Sequence, residues 1–214
     1  MKKNLSALGF MSGTSGDGVD SSVISSDGKE SILIKFNRFD PYPLNLSNKI
    51  HRIKEKISEI QDLLKYNSDI DELEREITDF HADLAIKISE QINFDLIGFH
   101  GHTIYHNADK KITKQIGIGG NLSKKTHKTV VYDFRQNDIK NGGEGAPLTP
   151  IYHLALVKEL FKENKVKIPI SILNIGGIAN ITEIDKNFKI ASRDIGPGNC
   201  LIDKWIRKNS KKFF

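Results

Sequence analysis

Leu8-Gly9-Phe10-Met11-Ser12-Gly13-Thr14-Ser15-Gly16-Asp17-Gly18-Val19-Asp20 is the stretch whose reading decides the fold. The apolar lead-in, residues 5–10, predicts a short buried strand, and the apolar run at residues 19–24 predicts a second. Between them stand hydroxyl residues, glycines and an aspartate, small enough to turn tightly and expose backbone N–H groups. Strand, turn and strand of this composition suit a phosphate-gripping hairpin. Its hydroxyls and amides meet phosphate oxygens, and Asp17 holds a hydrated Mg²⁺. An ordinary glycine-rich β-turn fits the same residues. A GxxxxGK[ST] loop is excluded, because no lysine lies in the turn. A GxGxxG turn opening a helix is excluded too, because residues 19–24 carry no helical period.

Outward from the hairpin, residues 31–36 predict a third strand after the Asp27-Gly28 turn, giving an antiparallel meander that Phe39-Asp40-Pro41-Tyr42-Pro43 breaks. From Ser47 the chain turns helical, with Leu46, Ile50, Ile53 and Ile57 on one side. A stronger helix follows, its apolar stripe Ile70, Leu73, Ile77, Phe80, Leu84, Ile88 and Ile92, its outer face Glu72, Glu74, Arg75, Glu76, Asp83 and Lys87. Residues 94–100 predict a buried strand delivering Gly101-His102-Thr103 at its carboxyl end, where ligands lie in open α/β sheets. Residues 113–118 and 129–132 read as strands, with a short helix between them. The glycine loop Gly142-Gly143-Glu144-Gly145-Ala146-Pro147 leads to a helix over residues 150–161. A strand at 170–173 runs into Asn174-Ile175-Gly176-Gly177, and a hairpin turns at Asp185-Lys186-Asn187. Asp194-Ile195-Gly196-Pro197-Gly198-Asn199 then opens a last helix, with Asn199 as its cap and Trp205 in its core face.

The chain has 214 residues, 38% hydrophobic and 28% charged, with a net charge of +5. Lysines and acids are interspersed, so the basicity reads as a solvated surface. No aromatic-basic module supports a nucleic-acid partner, although the tail Arg207-Lys208-Asn209-Ser210-Lys211-Lys212 keeps that reading as a weaker alternative. Cys200 is the single cysteine, which excludes an intrachain disulfide and a cysteine zinc cluster and fits a reducing cytoplasm. Asn4 and Ser6 interrupt the apolar stretch after Met1-Lys2-Lys3, so no signal peptide is expected, and no apolar run approaches a membrane span. His100, His102 and His106 have the spacing of a metal site, but a strand end feeding a pocket explains them as well, and no metal site is expected in the chain.

Six blocks in order resemble the anhydro-N-acetylmuramic acid kinase family, sugar kinases of the actin-like ATPase superfamily. They are residues 9–20, His100-Gly101-x-Thr103, Asp133-Phe134-Arg135 with Asp138, Gly142-Gly143-x-Gly145-Ala146-Pro147-Leu148-x-Pro150, residues 174–180, and Asp194-x-Gly196-Pro197-Gly198-Asn199. The resemblance implies an α/β fold of the actin-like ATPase (ribonuclease H-like) sugar-kinase type, a mixed sheet with flanking helices and a second lobe left incomplete. It implies that ATP and Mg²⁺ are used to open 1,6-anhydro-N-acetylmuramic acid with water and phosphorylate O6, giving N-acetylmuramic acid 6-phosphate.

Asp194 is then the base that takes a proton from the attacking water. Gly13, Thr14, Ser15, Gly16, Asp17, Gly18, Val19 and Asp20 hold the ATP phosphates, and Thr103 and Arg135 hold the sugar. Without the resemblance Asp194 reads as a turn aspartate, and Arg135 as a surface partner of Asp133 or Asp138. Two positions depart from the family pattern: Gly16 stands for a bulkier apolar residue, loosening the turn, and His102 stands for Gln, altering sugar contacts or pH response. Family members continue beyond residue 214. Residues 1–214 are therefore expected to be the amino-terminal lobe with the start of a second, to be cytoplasmic, and to have little activity alone. A homodimer, or a companion chain supplying the rest, remains open. The alternative reading is a non-catalytic anhydrosugar-binding or sensor module.

Overall fold

Alternating small and apolar residues make β1 (Leu5–Met11) the hub of a sheet. In the computed structural model, which describes residues 4–29, 31–107 and 109–210, β1 pairs antiparallel with β2 (Gly18–Ser26), from Leu5 opposite Ser26 to Met11 opposite Asp20. The Met1-Lys2-Lys3 lead and Lys211-Lys212 of the basic tail lie outside the described residues. The chain divides into two compact units, Met1–Ser26 with Leu33–Gly145, and Asp27–Ile32 with Ala146–Phe214.

In the first unit, β3 (Ile32–Pro41) lies beside β2, and β4 (Leu96–Phe99) and β7 (Thr129–Tyr132) extend the sheet beyond β1, in the order β3-β2-β1-β4-β7. β3 runs through the Phe39-Asp40-Pro41 segment expected to break it, with Pro41 its last residue. The pairs β1–β4 and β4–β7 are parallel, with Phe10 opposite Phe99 and Phe99 opposite Tyr132. The mixed sheet flanked by helices is the fold class that the sequence predicts.

The helices α1 (Leu44–Lys56) and α3 (Asn67–Ser89) follow the predicted apolar stripes; α2 (Ile60–Lys65), between them, was not predicted. Ile50, Ile53, Ile70, Leu73, Ile77, Leu84 and Ile88 are buried in one core with Leu8, Phe10, Val19, Ile97 and Phe99 of the sheet. Each such side chain contributes roughly 1.5–3 kcal/mol relative to exposure. Glu74 does not belong to the solvated face: its Oε1 accepts the N–H of Gly117 (3.0 Å) and pairs with Lys114 (3.4 Å). β5 (His102–Asn107) and β6 (Ile112–Ile116) form a separate antiparallel hairpin, α4 (Gly119–Thr126) leads to β7, and α5 (Phe134–Lys140) follows it.

In the second unit, α6 (Pro150–Lys162) starts on a proline whose missing N–H is no loss in a first turn. β8 (Ile170–Ile175), β9 (Ile178–Ile184) and β10 (Ile190–Pro197) make an antiparallel sheet, followed by α7 (Cys200–Asn209). His153 Nδ1 meets Thr182 Oγ1 at 2.8 Å, tying α6 to β9. Trp205, expected in the core, is 67% exposed, as are Leu201 and Ile202 to a similar degree. The α7 stripe is apolar, but none of the described elements covers it.

Candidate functional site

The turn after β1 is closed by the Gly16 N–H donating to the Gly13 carbonyl at 3.2 Å. Gly16 has φ +64°, a left-handed conformation that glycine adopts without penalty. Three of the turn's carbonyls are then taken from outside. Ser47 Oγ donates to the Gly16 carbonyl (2.7 Å), Lys54 Nζ to that of Thr14 (2.5 Å), and the Tyr42 N–H to that of Asp17 (2.9 Å). The N–H groups of Thr14, Ser15 and Asp17 donate to no protein group among the described residues. Committed carbonyls and open amides make a concavity suited to an anion. Ser15 Oγ donates to Asp17 Oδ1 (2.5 Å), and Asp20 is exposed opposite Met11. Gly18 and Val19 are buried at the start of β2.

Beneath the turn runs a buried polar chain. The Tyr42 hydroxyl donates to Ser12 Oγ (2.9 Å), and Ser12 Oγ lies 2.8 Å from His102 Nδ1. Ser12 Oγ keeps one hydrogen and a second lone pair, so it donates to Nδ1 or accepts from it according to the ring's tautomer. Nε2 is buried and has no partner among the described residues. Burial, with the Lys54 ammonium nearby, pushes the His102 pKa down to about 3 and keeps the ring neutral. Burial also lifts the Tyr42 phenol to about 12. The expectation that His102 alters sugar contacts is corrected: the fully buried ring turns inward onto Ser12.

Parallel pairing sets the carboxyl ends of β1, β4 and β7 along one edge of the sheet. The turn leaves that edge after β1, His100-Gly101 after β4 and Asp133 after β7. Thr103 follows His102 on β5, and its Oγ1 accepts from Gln115 Nε2 (3.3 Å). Arg135, on α5, donates from Nε to His100 Nε2 (3.0 Å). Burial, then Arg135, pushes the His100 pKa down to about 4, so its ring stays a neutral acceptor. A cavity of about 330 Å³ opens here, lined by His100, Gln115, Tyr132, Asp133, Gln136 and Lys140 among others. Asp133 at its rim has φ +61°, uncommon for a residue with a Cβ. Asp138 Oδ2 accepts the Gly145 N–H (2.8 Å), tying the glycine loop to α5. The turn, Thr103 and Arg135 thus share one edge of the first unit.

Asp194 belongs to the second unit. It lies on β10 opposite Asn180, at a bulge between Asp194 and Gly196, and is exposed with no described hydrogen-bonding partner. The N–H groups of Gly198 and Asn199 donate to the carbonyls of Gly177 and Gly176, both at 2.9 Å, which brings the two late glycine blocks together. A Cβ on Gly198 would overlap the Gly176 carbonyl, so this crossing requires glycine. Sequence reasoning missed Tyr42, Ser47, His51 and Lys54 at the turn. The available signal was the spacing of Ser47, His51 and Lys54, at i, i+4 and i+7 on one face of α1.

A family model described as anhydro-N-acetylmuramic acid kinase matches residues 5–214. The anhydro-N-acetylmuramic acid kinase of Pelagibacter ubique (strain HTCC1062) is 46% identical over 215 residues, covering 99% of this chain and 56% of that protein. That of Agrobacterium fabrum (strain C58 / ATCC 33970) is 38% identical, covering 97% of this chain and 57% of its own length. The chain spans a little over half the length of the curated relatives it matches.

Proposed function

This chain belongs to the anhydro-N-acetylmuramic acid kinase family, and from that premise we propose that it serves the ATP-dependent, hydrolytic opening and O6 phosphorylation of 1,6-anhydro-N-acetylmuramic acid in the cytoplasm. The observation that carries the reading is the turn at residues 13–17, with three carbonyls bonded by Ser47, Lys54 and Tyr42 and three amides without a protein partner among the described residues, on the same sheet edge as Thr103 and Arg135. Residues 13–20 then hold the phosphates, and Thr103 and Arg135 the sugar. Asp17 and Asp20 are the carboxylates for a hydrated Mg²⁺. Such an ion takes only one or two carboxylates besides phosphate and water. Among the described residues no cluster of three or more His, Cys, Asp or Glu side chains forms a self-contained metal centre. When bound, Mg·ATP supplies the transferable phosphoryl group and charge neutralisation.

Asp194 is proposed as general base. Water would add at the anomeric carbon and give its proton to the Asp194 carboxylate, while the C1–O6 bond breaks and O6 takes the γ-phosphoryl group of ATP, whose bond to the β-phosphate breaks to release ADP. A positioned base contributes about 10²–10⁴-fold. Asp194 suits this by its exposure and its place on a bulge, which re-aims side chains next to active sites. No helix among the described residues is long and apolar enough to cross a membrane.

The test incubates the chain with the sugar and Mg·ATP in ¹⁸O-water, with the part of the Pelagibacter ubique kinase that this chain does not cover supplied in trans. The expected product is N-acetylmuramic acid 6-phosphate labelled at C1, and Asp194→Asn lowers its rate by at least about 10². A label absent from C1, or an unaffected D194N rate, overturns the mechanism. Sugar binding without turnover or nucleotide effect would favour a sensor.

A further inference from the structure

We propose that Lys54 is a phosphate ligand, the cation that the turn itself lacks, delivered from α1 to the polyphosphate of a nucleoside triphosphate. The proposal rests on the reading of residues 13–17 as a phosphate site.

Three observations carry it. First, Lys54 Nζ lies 2.5 Å from the Thr14 carbonyl oxygen, at a turn whose neighbouring N–H groups are open. A carbonyl accepts one of an ammonium's three N–H bonds.

Second, Lys54 is not an isolated contact. Ser47, His51 and Lys54 share one face of α1, and each meets the turn. Ser47 bonds the Gly16 carbonyl, and the His51 ring lies where a Cβ on Gly16 would come within 3.2 Å of its Cε1. The adjacent apolar positions Leu46, Ile50 and Ile53 are buried in the core, which fixes the helix and with it the neighbouring polar face. The charge of Lys54 is also felt in the interior, being the largest electrostatic contribution after burial to the low basicity of His102.

Third, the charge is needed. A triphosphate brings several negative charges to a turn that carries Asp17, with Asp20 close behind it on β2. In glycine-rich phosphate loops a lysine reaches the terminal phosphates from the loop itself. Here the nearest chain positions offer none, and the fold supplies one from 40 residues away.

The experiment measures Mg·ATP and Mg-tripolyphosphate binding to the chain by calorimetry for wild type, Lys54→Arg and Lys54→Gln. Glutamine keeps a donor for the Thr14 carbonyl and loses the charge; arginine keeps the charge. K54Q is expected to weaken tripolyphosphate binding about tenfold or more, with K54R much closer to wild type and the ligand-free unfolding temperature of both unchanged. In wild type, tripolyphosphate should also shield Lys54 Nζ from acetylation, read by mass spectrometry, so the assignment survives a poorly folding variant. Wild-type affinity in K54Q, or acetylation of Lys54 unaffected by bound tripolyphosphate, overturns the Lys54 assignment alone. Absence of binding to folded wild type overturns the phosphate site and this proposal with it.

Discussion

Ser12 shows how much one hydroxyl can organise. It accepts from Tyr42, 30 residues on, hydrogen-bonds His102, 90 residues on, and stands immediately before the turn. Ser12→Ala therefore strands two buried polar groups, each costing about 1–3 kcal/mol when left without a partner. The expected outcome in urea unfolding is a loss of about 2–4 kcal/mol for S12A, falling when Tyr42→Phe is added, because one stranded group is then gone. Equal losses in single and double variants would show that the chain is not coupled. In the sequence Ser12 was legible as part of a small-residue turn. Its bond to His102 was not, because a partner 90 residues away leaves no local spacing. The same holds for Lys54, which the turn sequence lacks and the packing of α1 restores.

Elements were legible in proportion to their periodic apolar content. The α3 stripe sits buried where the three- and four-residue spacing places it, with Ile77 fully buried. Ile77→Ala should cost roughly 2–5 kcal/mol, measured as a lower urea midpoint with an unchanged slope, since a cavity beneath the sheet replaces packed atoms. A loss below about 1 kcal/mol would mean that the site collapses around the smaller side chain. Where periodicity was weak, elements went unread. α5 buries only Ile139, and α2 buries none of its side chains. β5 alternates polar and apolar residues and pairs only with β6. Period also says which helix face is apolar, not what covers it: Trp205 completes the α7 stripe and is still mostly exposed. Glu74 shows the converse. It lies on the polar side of α3, yet it accepts the Gly117 N–H just after β6 and pairs with Lys114 on that strand.

Across the whole molecule, the order of the six motif blocks was readable and their grouping was not. β1, β4 and β7 lie far apart in sequence, and only parallel pairing sets their ends together. That first unit also holds two buried histidines, His81 and His102, and a half-buried one, His100, and their shared state has a consequence for stability. His81 and His100 are pushed down to about 4 and His102 to about 3, burial being the leading cause in each. The unfolded chain binds protons on these rings near the ordinary value of 6.5, while the folded chain resists protonation until pH 3–4. Stability is therefore fully present above pH 6.5 and declines as pH falls toward 4, at up to about 1.4 kcal/mol per pH unit for each ring. The lowered carboxyls of Asp62, Asp69 and Glu72 act only below their own ordinary values, largely outside this window. Urea unfolding at pH 7.5, 6.0 and 5.0 should show a steep loss between the last two. His102→Gln should make the decline shallower by one ring's share, because glutamine can still bond Ser12 as donor or acceptor but does not titrate. A stability that is flat from pH 7.5 to 5.0 would mean that these rings reach solvent in the folded chain, and the buried chain from Tyr42 to His102 would then lose its neutral ring.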